Sequence, residues 1–94
     1  MKNTLTITEN DIEVLDEVDS ILEKRLILWD DDFTSMDLVV MLIITILQYD
    51  SIRAEQLMLN IHHTGSATVK SGTLEELKPL KDLFIDGGLS ATIE

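Results

Sequence analysis

Residues 26–47 read LILWDDDFTSMDLVVMLIITIL, and this stretch decides which fold we expect. The apolar run at residues 26–29 is typical of a buried strand, and the three aspartates after it predict a loop. Thr34 and Asp37 match a capping box, in which a hydroxyl opens a helix and an acid follows three residues later. We therefore expect a strand, an acidic loop and a first helix over residues 35–48.

A second helix is expected over residues 52–62, where apolar side chains recur at helical spacing. Ser51 is the expected N-cap of this helix, and Gly65 is its expected end. A weak strand candidate follows at residues 67–70.

A third helix is expected to open at Thr73, because Thr73 and Glu76 repeat the capping-box pattern. Pro79 lies inside this segment, removes one backbone hydrogen bond, and is expected to kink or shorten the helix. The glycine pair 87–88 should close it. Residues 89–93 then alternate apolar and polar side chains, as a terminal strand does.

This order of elements, β-α-α-β-α-β, indicates an α+β domain in which three helices cover a three-stranded antiparallel sheet. The core domain should span residues 24–94. Residues 1–23 are rich in Asp, Glu and Thr and are expected to form a flexible acidic extension. The alternative is a weak amphipathic helix over residues 11–24, whose apolar stripe a partner would cover.

The composition of the 94 residues excludes several classes of function. The 18 acidic and 7 basic side chains give a net charge of −11, which repels nucleic-acid phosphates and attracts amino groups or basic protein surfaces. No cysteine is present, so disulfides and thiolate metal sites are excluded. The first residues lack an apolar secretion signal, and the longest apolar run, residues 38–47, is about half the roughly 20 residues that a membrane helix needs. We expect a cytoplasmic protein that binds neither nucleic acid nor membrane.

Residues 28–40, LWDDDFTSMDLVV, resemble the opening signature of the ClpS adaptor family, in which a strand is followed by Asn-Asp-Asp-aromatic-Thr-Pro-Met-acid-aromatic-Val-Val. Residues 54–65, AEQLMLNIHHTG, are similar to a second signature of that family, Ala-x-x-x-Met-x-x-Val-His-x-x-Gly. The likeness covers residues 24–72 well and the final strand loosely. The fold of that family has the order of elements predicted above.

The resemblance implies a protease adaptor without catalytic activity. Members of this family recognise N-degrons, which are proteins that begin with Leu, Phe, Tyr or Trp, and hand them to the N-terminal domain of a ClpA- or ClpC-type AAA+ unfoldase. No cofactor and no metal are implied. The residues at matching positions that would surround the α-amino group are Asp30, Asp31, Asp32 and His62. Those that would wall the hole for the first side chain are Leu28, Thr34, Met36, Val39, Met58, Ile61 and Leu89.

This chain departs from the family pattern at three places. Asp30 replaces an asparagine, so one donor is lost, and repulsion among three neighbouring carboxylates is expected to raise the pKa of at least one of them. Ser35 replaces a proline, which gives up a preset backbone angle. The third helix has no clear match to the acid-x-Lys docking signature of the family, and Lys78 or Lys81 would have to take its place.

Met41 and Ile44 carry apolar side chains where members of the family usually have polar ones, on the same helix face as Asp37 and Gln48. We expect this face to be an exposed apolar patch. The chain is expected to be a monomer, with self-association or a second interface through this patch as the alternative.

Other functions fit the acidic loop and the histidines less well. A calcium loop starting at Asp30 is excluded, because its sixth position is Ser35 and its twelfth is Met41 where glycine and glutamate are required. His62 and His63 are a weak zinc site, since adjacent helical side chains point about 100° apart. No activated nucleophile or phosphate-binding glycine loop is present. The alternative function is a structural interaction domain with another partner, because the C-terminal domain of the ribosomal stalk protein shares this general architecture.

Overall fold

The structure is a computed structural model that describes residues 22–94. The extension expected at residues 1–23 and the helix considered over residues 11–24 therefore lie almost wholly outside the described residues. The order of elements is the predicted β-α-α-β-α-β. The elements are β1 (Lys24–Trp29), α1 (Met36–Leu47), α2 (Ser51–Thr64), β2 (Ser66–Gly72), α3 (Leu74–Asp86) and β3 (Ser90–Ile93).

β1 is the central strand of an antiparallel sheet with the strand order β2-β1-β3. Leu26 and Leu28 are almost completely buried and belong to the hydrophobic core, while alternate residues of the strand point to the other face. The prediction that Trp29 is buried is wrong: 40% of its surface is exposed, and its indole Nε1 donates to Thr92 Oγ1 at 2.8 Å. A continuous apolar run does not reveal that its last member faces outward.

The three helices and the sheet share one continuous hydrophobic core. Its largest fully buried side chains come from strand and helices alike, and burying each contributes about 1.5–3 kcal/mol. They are Leu26, Leu28, Ile43, Leu77 and Phe84. Within residues 22–94, no helix combines the length and the apolar character needed to cross a bilayer.

Two N-caps lie one residue away from their predicted positions. α1 is capped by Ser35 instead of Thr34, through a 3.1 Å hydrogen bond to Ser35 Oγ from the backbone N–H three residues on. α2 is capped by Asp50 instead of Ser51, through a 2.8 Å hydrogen bond of the same kind. In both places two neighbouring side chains are able to cap, and the path of the preceding loop selects between them.

α1 and α2 form a helical hairpin with a very short connection. Gln48 ends α1 in the left-handed conformation, with φ 63°, and lets the chain reverse before Asp50 opens α2. Between them, Tyr49 donates its hydroxyl to the carbonyl of Val69 at 2.6 Å, and the Arg53 guanidinium lies 3.8 Å from the centre of the Tyr49 ring. The hairpin is thereby fixed against β2.

The loop between β1 and α1 is held at its start and in its middle. The Asp30 N–H donates to the carbonyl of Gly65 at 2.9 Å, which ties the loop to the end of α2. Asp31 Oδ1 accepts from the N–H groups of Phe33 and Thr34 at 2.8 and 2.7 Å, and Asp31 Oδ2 accepts from Thr34 Oγ1 at 3.0 Å.

These hydrogen bonds lower the pKa of Asp31 below its ordinary value, the bond from the Phe33 N–H most and the bond from the Thr34 hydroxyl next. The rise in pKa expected for at least one of the three aspartates is therefore not at Asp31, where the accepted hydrogen bonds outweigh desolvation.

The capping box of α3 is present as predicted, with Thr73 and Glu76 each accepting from the other's backbone N–H. Pro79 does not shorten the helix, which continues to Asp86. Pro79 is the sixth residue of α3, so its missing N–H costs one intrahelical hydrogen bond, and the helix continues despite this loss. The chain then turns through Gly88, whose φ of 102° is readily adopted by glycine and strained for other residues.

Thr73→Ala removes the side-chain oxygen that accepts from the Glu76 N–H. We expect it to lower the free energy of unfolding by about 1 kcal/mol, as measured by urea denaturation. Thr73→Ser keeps the hydroxyl and should retain most of this stability. Equal losses in the two variants would show that the capping hydroxyl is not what matters.

Asp31→Asn should destabilise the protein in a pH-dependent way. Folding lowers the pKa of Asp31, so its charged form stabilises the fold above its ordinary pKa of 3.8, and this contribution is lost as pH falls through the lower pKa of the folded state. The difference in free energy of unfolding between wild type and variant should therefore be larger at pH 7 than near pH 2. Urea denaturation at both pH values measures it, and a difference independent of pH would refute the role given to the carboxylate.

Candidate functional site

A cavity of about 330 Å³ opens where the loop after β1, the start of α1 and the second half of α2 meet. Its volume is near the lower limit for ligand pockets in proteins, which suits a single side chain with a small polar group better than a large metabolite. The lining residues are Asp30, Asp31, Asp32, Thr34, Ser35, Met36, Val39, Met58, Ile61 and His62.

Most of the residues singled out from the sequence meet around this cavity. The four predicted to surround an amino group all line it, as do five of the seven predicted to wall an apolar hole. The other two, Leu28 and Leu89, are only 1% and 5% exposed and belong to the hydrophobic core instead of the lining. Sequence reasoning missed Ser35, although its position at the junction of loop and helix was a usable signal.

The wall of the cavity is apolar. Val39 on α1 and Met58 on α2 are half-buried, and Ile61 is 3% exposed. Met36, in the first turn of α1, is 43% exposed and stands at the mouth. Met58 and Ile61 share one face of α2 because they are three residues apart, so a side chain entering between the helices would contact both.

The rim of the cavity is polar, and the loop itself occupies one of its three carboxylates, that of Asp31. Among residues 22–94, no donor hydrogen-bonds to the carboxylates of Asp30 and Asp32, in contrast to that of Asp31. His62 Nδ1 lies 4.0 Å from Asp30 Oδ2, which is too long for a direct hydrogen bond. The side chains of His62 and Asp30 are 47% and 39% exposed, so a ligand can reach both.

Two backbone features bring His62 to the acidic loop. α2 ends at Gly65, whose positive φ of 93° turns the chain sharply after the last helical turn. The carbonyl of the same glycine accepts from the Asp30 N–H. The last turn of α2 and the first loop residue are therefore joined by one hydrogen bond, and the 4.0 Å approach follows from it.

His63 does not take part in the rim. Its ring lies 5.6 Å from that of His62, edge to face, and it is absent from the lining. No three His, Cys, Asp or Glu side chains within residues 22–94 are arranged to hold a metal ion.

Two further surfaces were predicted from the sequence, an apolar patch on α1 and a pair of lysines on α3. On α1, Met41 is 54% exposed, but Ile44 is half-buried, so the expectation of a fully exposed patch is wrong for Ile44. On α3, Lys78 is exposed and its Nζ lies 3.8 Å from Asp82 Oδ2, and Lys81 is half-buried. Both lysines lie on a helix that does not line the cavity.

Comparison with known proteins identifies the family to which the chain belongs. The family model described as the ATP-dependent Clp protease adaptor protein ClpS matches residues 22–87. The ATP-dependent Clp protease adapter protein ClpS of Treponema denticola is 49% identical over 45 residues, which are 48% of this chain and 45% of that protein. The protein of the same name from Corynebacterium aurimucosum is 38% identical over 69 residues, 72% of this chain and 61% of that protein. The chain thus spans between about half and two thirds of these relatives.

The fold is shared with a solved structure. The structure of Agrobacterium tumefaciens ClpS2 bound to L-phenylalaninamide matches with a TM-score of 0.67 and 23% sequence identity, over 77% of this chain and 94% of that chain. At this identity the likeness establishes the fold alone, and the α+β prediction is confirmed. Taken with the family model, which covers more than half of the residues, these likenesses establish that the chain belongs to the ClpS family of Clp protease adaptors.

Proposed function

We propose that this chain captures client proteins by their free α-amino group and bulky hydrophobic first side chain, and delivers them to a ClpA- or ClpC-type unfoldase. The observation that carries the proposal is that unused acceptors and an apolar wall share one small cavity. Agrobacterium ClpS2 is bound to L-phenylalaninamide, a molecule with an α-amine next to a benzyl side chain. The same pair of groups matches the rim and wall described above.

The rim suits a compact cation with three donors. A nitrogen at about 2.8 Å from both His62 Nδ1 and Asp30 Oδ2 is at a normal distance for a charge-assisted hydrogen bond. With the two acceptors 4.0 Å apart, the angle between the two bonds is about 90°, which is below the tetrahedral angle of an ammonium but within reach of slightly bent hydrogen bonds. His62 accepts only when neutral. Asp32 lines the same cavity, and we assign the third hydrogen to it.

The free energies available are of the size that capture requires. A hydrogen bond to a charged group contributes about 1.5–3 kcal/mol, and burying a Leu or Phe side chain contributes about 1.5–3 kcal/mol. Two or three polar contacts with one buried side chain approach the roughly 8 kcal/mol of micromolar binding when the pocket is preformed. Neither the rim nor the wall alone reaches that value.

Asp30 gives this chain a more negative rim than the asparagine of the family pattern. A carboxylate attracts an ammonium more strongly than an amide does, but it cannot donate to the first carbonyl of a client peptide. Asp31 is already occupied by the loop. Asp30 and Asp32 therefore provide the attraction, and binding should weaken with salt more than it would with one of them neutral.

Delivery requires a second surface that leaves the cavity accessible. α3 presents Lys78 away from the cavity lining, with 64% of its side chain exposed. The side chain of its partner Asp82 is 54% exposed, and an exposed ion pair of this kind is weak and easily exchanged for one with another protein. We assign unfoldase docking to this part of α3, with Lys81 as a neighbouring contact.

Calorimetry with short peptides tests amine recognition. A peptide that begins with Phe and has a free amino group should bind with micromolar affinity, and the same peptide acetylated at its amino group should bind at least tenfold more weakly, because it loses the charge-assisted bonds. His62→Ala should lower the affinity for the free peptide by a similar factor. Equal affinities for free and acetylated peptides would overturn the proposal.

Two further variants serve as controls for this experiment. His63→Ala removes the neighbouring imidazole, which does not line the cavity, and should bind as wild type does. Asp30→Asn should reduce the salt dependence of binding while restoring a donor for the first carbonyl. A salt dependence unchanged by Asp30→Asn would mean that this carboxylate does not face the amine.

Delivery is tested by a degradation assay with a purified ClpA- or ClpC-type unfoldase and its peptidase. A fluorescent client that begins with Phe should be degraded faster when this chain is present. The double variant Lys78→Ala, Lys81→Ala should lose most of this acceleration and keep peptide affinity, because α3 does not line the cavity. Retained acceleration would place the docking surface elsewhere.

A further inference from the structure

A second depression lies between α1 and α2, next to the cavity described above. It has a volume of about 400 Å³. It shares one side chain, Met58, with the first cavity. Its lining residues are Asp37, Val40, Met41, Ile44, Thr45, Glu55, Met58 and Leu59. We call this depression the interhelical groove.

The groove combines an apolar floor with an acidic edge on each helix. Met41 and Leu59 are 54% and 45% exposed, so the groove presents two large apolar side chains to solvent. Asp37 on α1 and Glu55 on α2 are exposed, and among residues 22–94 neither has a basic side chain within salt-bridge distance. A chain segment with an apolar side chain and without acidic neighbours would match this surface.

From the continuity of the two depressions we infer that the interhelical groove binds the third residue of the captured client. This inference rests on the proposed capture of an α-amino group. The amine would be held at the loop end of the cavity, and because the two depressions adjoin at Met58, we place the client backbone past Met58 and toward the groove.

The spacing fits the third residue better than the second or the fourth. Met58 is the one lining residue that the cavity and the groove share, so the two depressions are separated by the width of a single side chain. In an extended peptide, the first and third residues are about 7 Å apart and point to the same side, whereas the second points away. A first side chain in the cavity therefore places the third side chain over the groove.

A second copy of this chain is the competing occupant of the groove. Each copy carries a net charge of −11, and a symmetric contact through the groove would bring Asp37 and Glu55 of both copies together, which is unfavourable. The electrostatics therefore favour a peptide of neutral or basic character over a second copy.

Calorimetry with three peptides tests this inference. They begin with Phe, have a free amino group, and differ only in a third residue that is Leu, Ala or Glu. We expect the Leu peptide to bind about three- to tenfold more tightly than the Ala peptide, because a partly buried Leu removes more apolar surface from water. The Glu peptide should bind most weakly, and its deficit should shrink at high salt. A fourth peptide with Leu at the second position and Ala at the third should bind as the Ala peptide does.

Variants test whether the preference for Leu at the third position depends on residues of the groove. In the double variant Met41→Ser, Leu59→Ser the ratio of affinities for the Leu and Ala peptides should fall to about one. Leu83→Ser, which changes an equally exposed leucine on α3, should leave the ratio unchanged. Folding of each variant is checked by its urea denaturation.

The outcomes distinguish this inference from the proposed function. If the free amine is required but the three peptides bind equally, the groove does not bind the third residue and amine capture stands. If acetylated peptides bind as well as free ones, amine capture itself fails. If sedimentation shows a dimer that Met41→Ser, Leu59→Ser dissociates, the groove is an interface between copies and the inference is overturned.

Discussion

The candidate site depends on how the loop of three aspartates is held. The carboxylate of Asp31 stabilises the loop itself, because it accepts three hydrogen bonds from Phe33 and Thr34. The backbone of Asp30 is bound to the carbonyl of Gly65. With the backbone fixed in this way, the side chains of Asp30 and Asp32 remain available at the rim. Asp31 thus organises the loop, and the carboxylates of Asp30 and Asp32 stay accessible at the rim.

The same hydrogen bond to Gly65 couples the two halves of the site. The acidic loop comes from the end of the central strand, and His62 comes from the last turn of a helix more than 30 residues later. The apolar wall is likewise divided between α1 and α2. A hairpin of two helices, closed by the left-handed Gln48 and bound to β2 through Tyr49, positions these two walls. A preformed cavity of this kind reduces the ordering cost of binding.

Charge and hydrophobicity act at different distances in this molecule. The net charge of −11 attracts a positively charged chain end over roughly a screening length of about 8 Å. Discrimination between chain ends requires contact with the acceptors of the rim and with the apolar wall. The carboxylates at the edges of the interhelical groove extend the same negative field beyond the cavity, toward the direction in which a bound chain would leave.

The sequence by itself determined the order of the elements and the α+β class, through the apolar run that ends at the aspartates, the capping residues and the glycines at helix ends. Helical spacing placed Met58, Ile61 and His62 on one face of a helix, whereas the grouping of the acidic loop with that face came from the resemblance to the ClpS signatures. Only the tertiary structure decided matters that depend on neighbours distant in sequence. Ser35 and Asp50 became the caps, Trp29 faced solvent, Ile44 was half covered by the adjacent helix, and Leu28 and Leu89 entered the core instead of the cavity wall. The physical reason is that burial and hydrogen-bond partners are set by packing between elements, which a one-dimensional pattern of apolar and polar residues records only as an average.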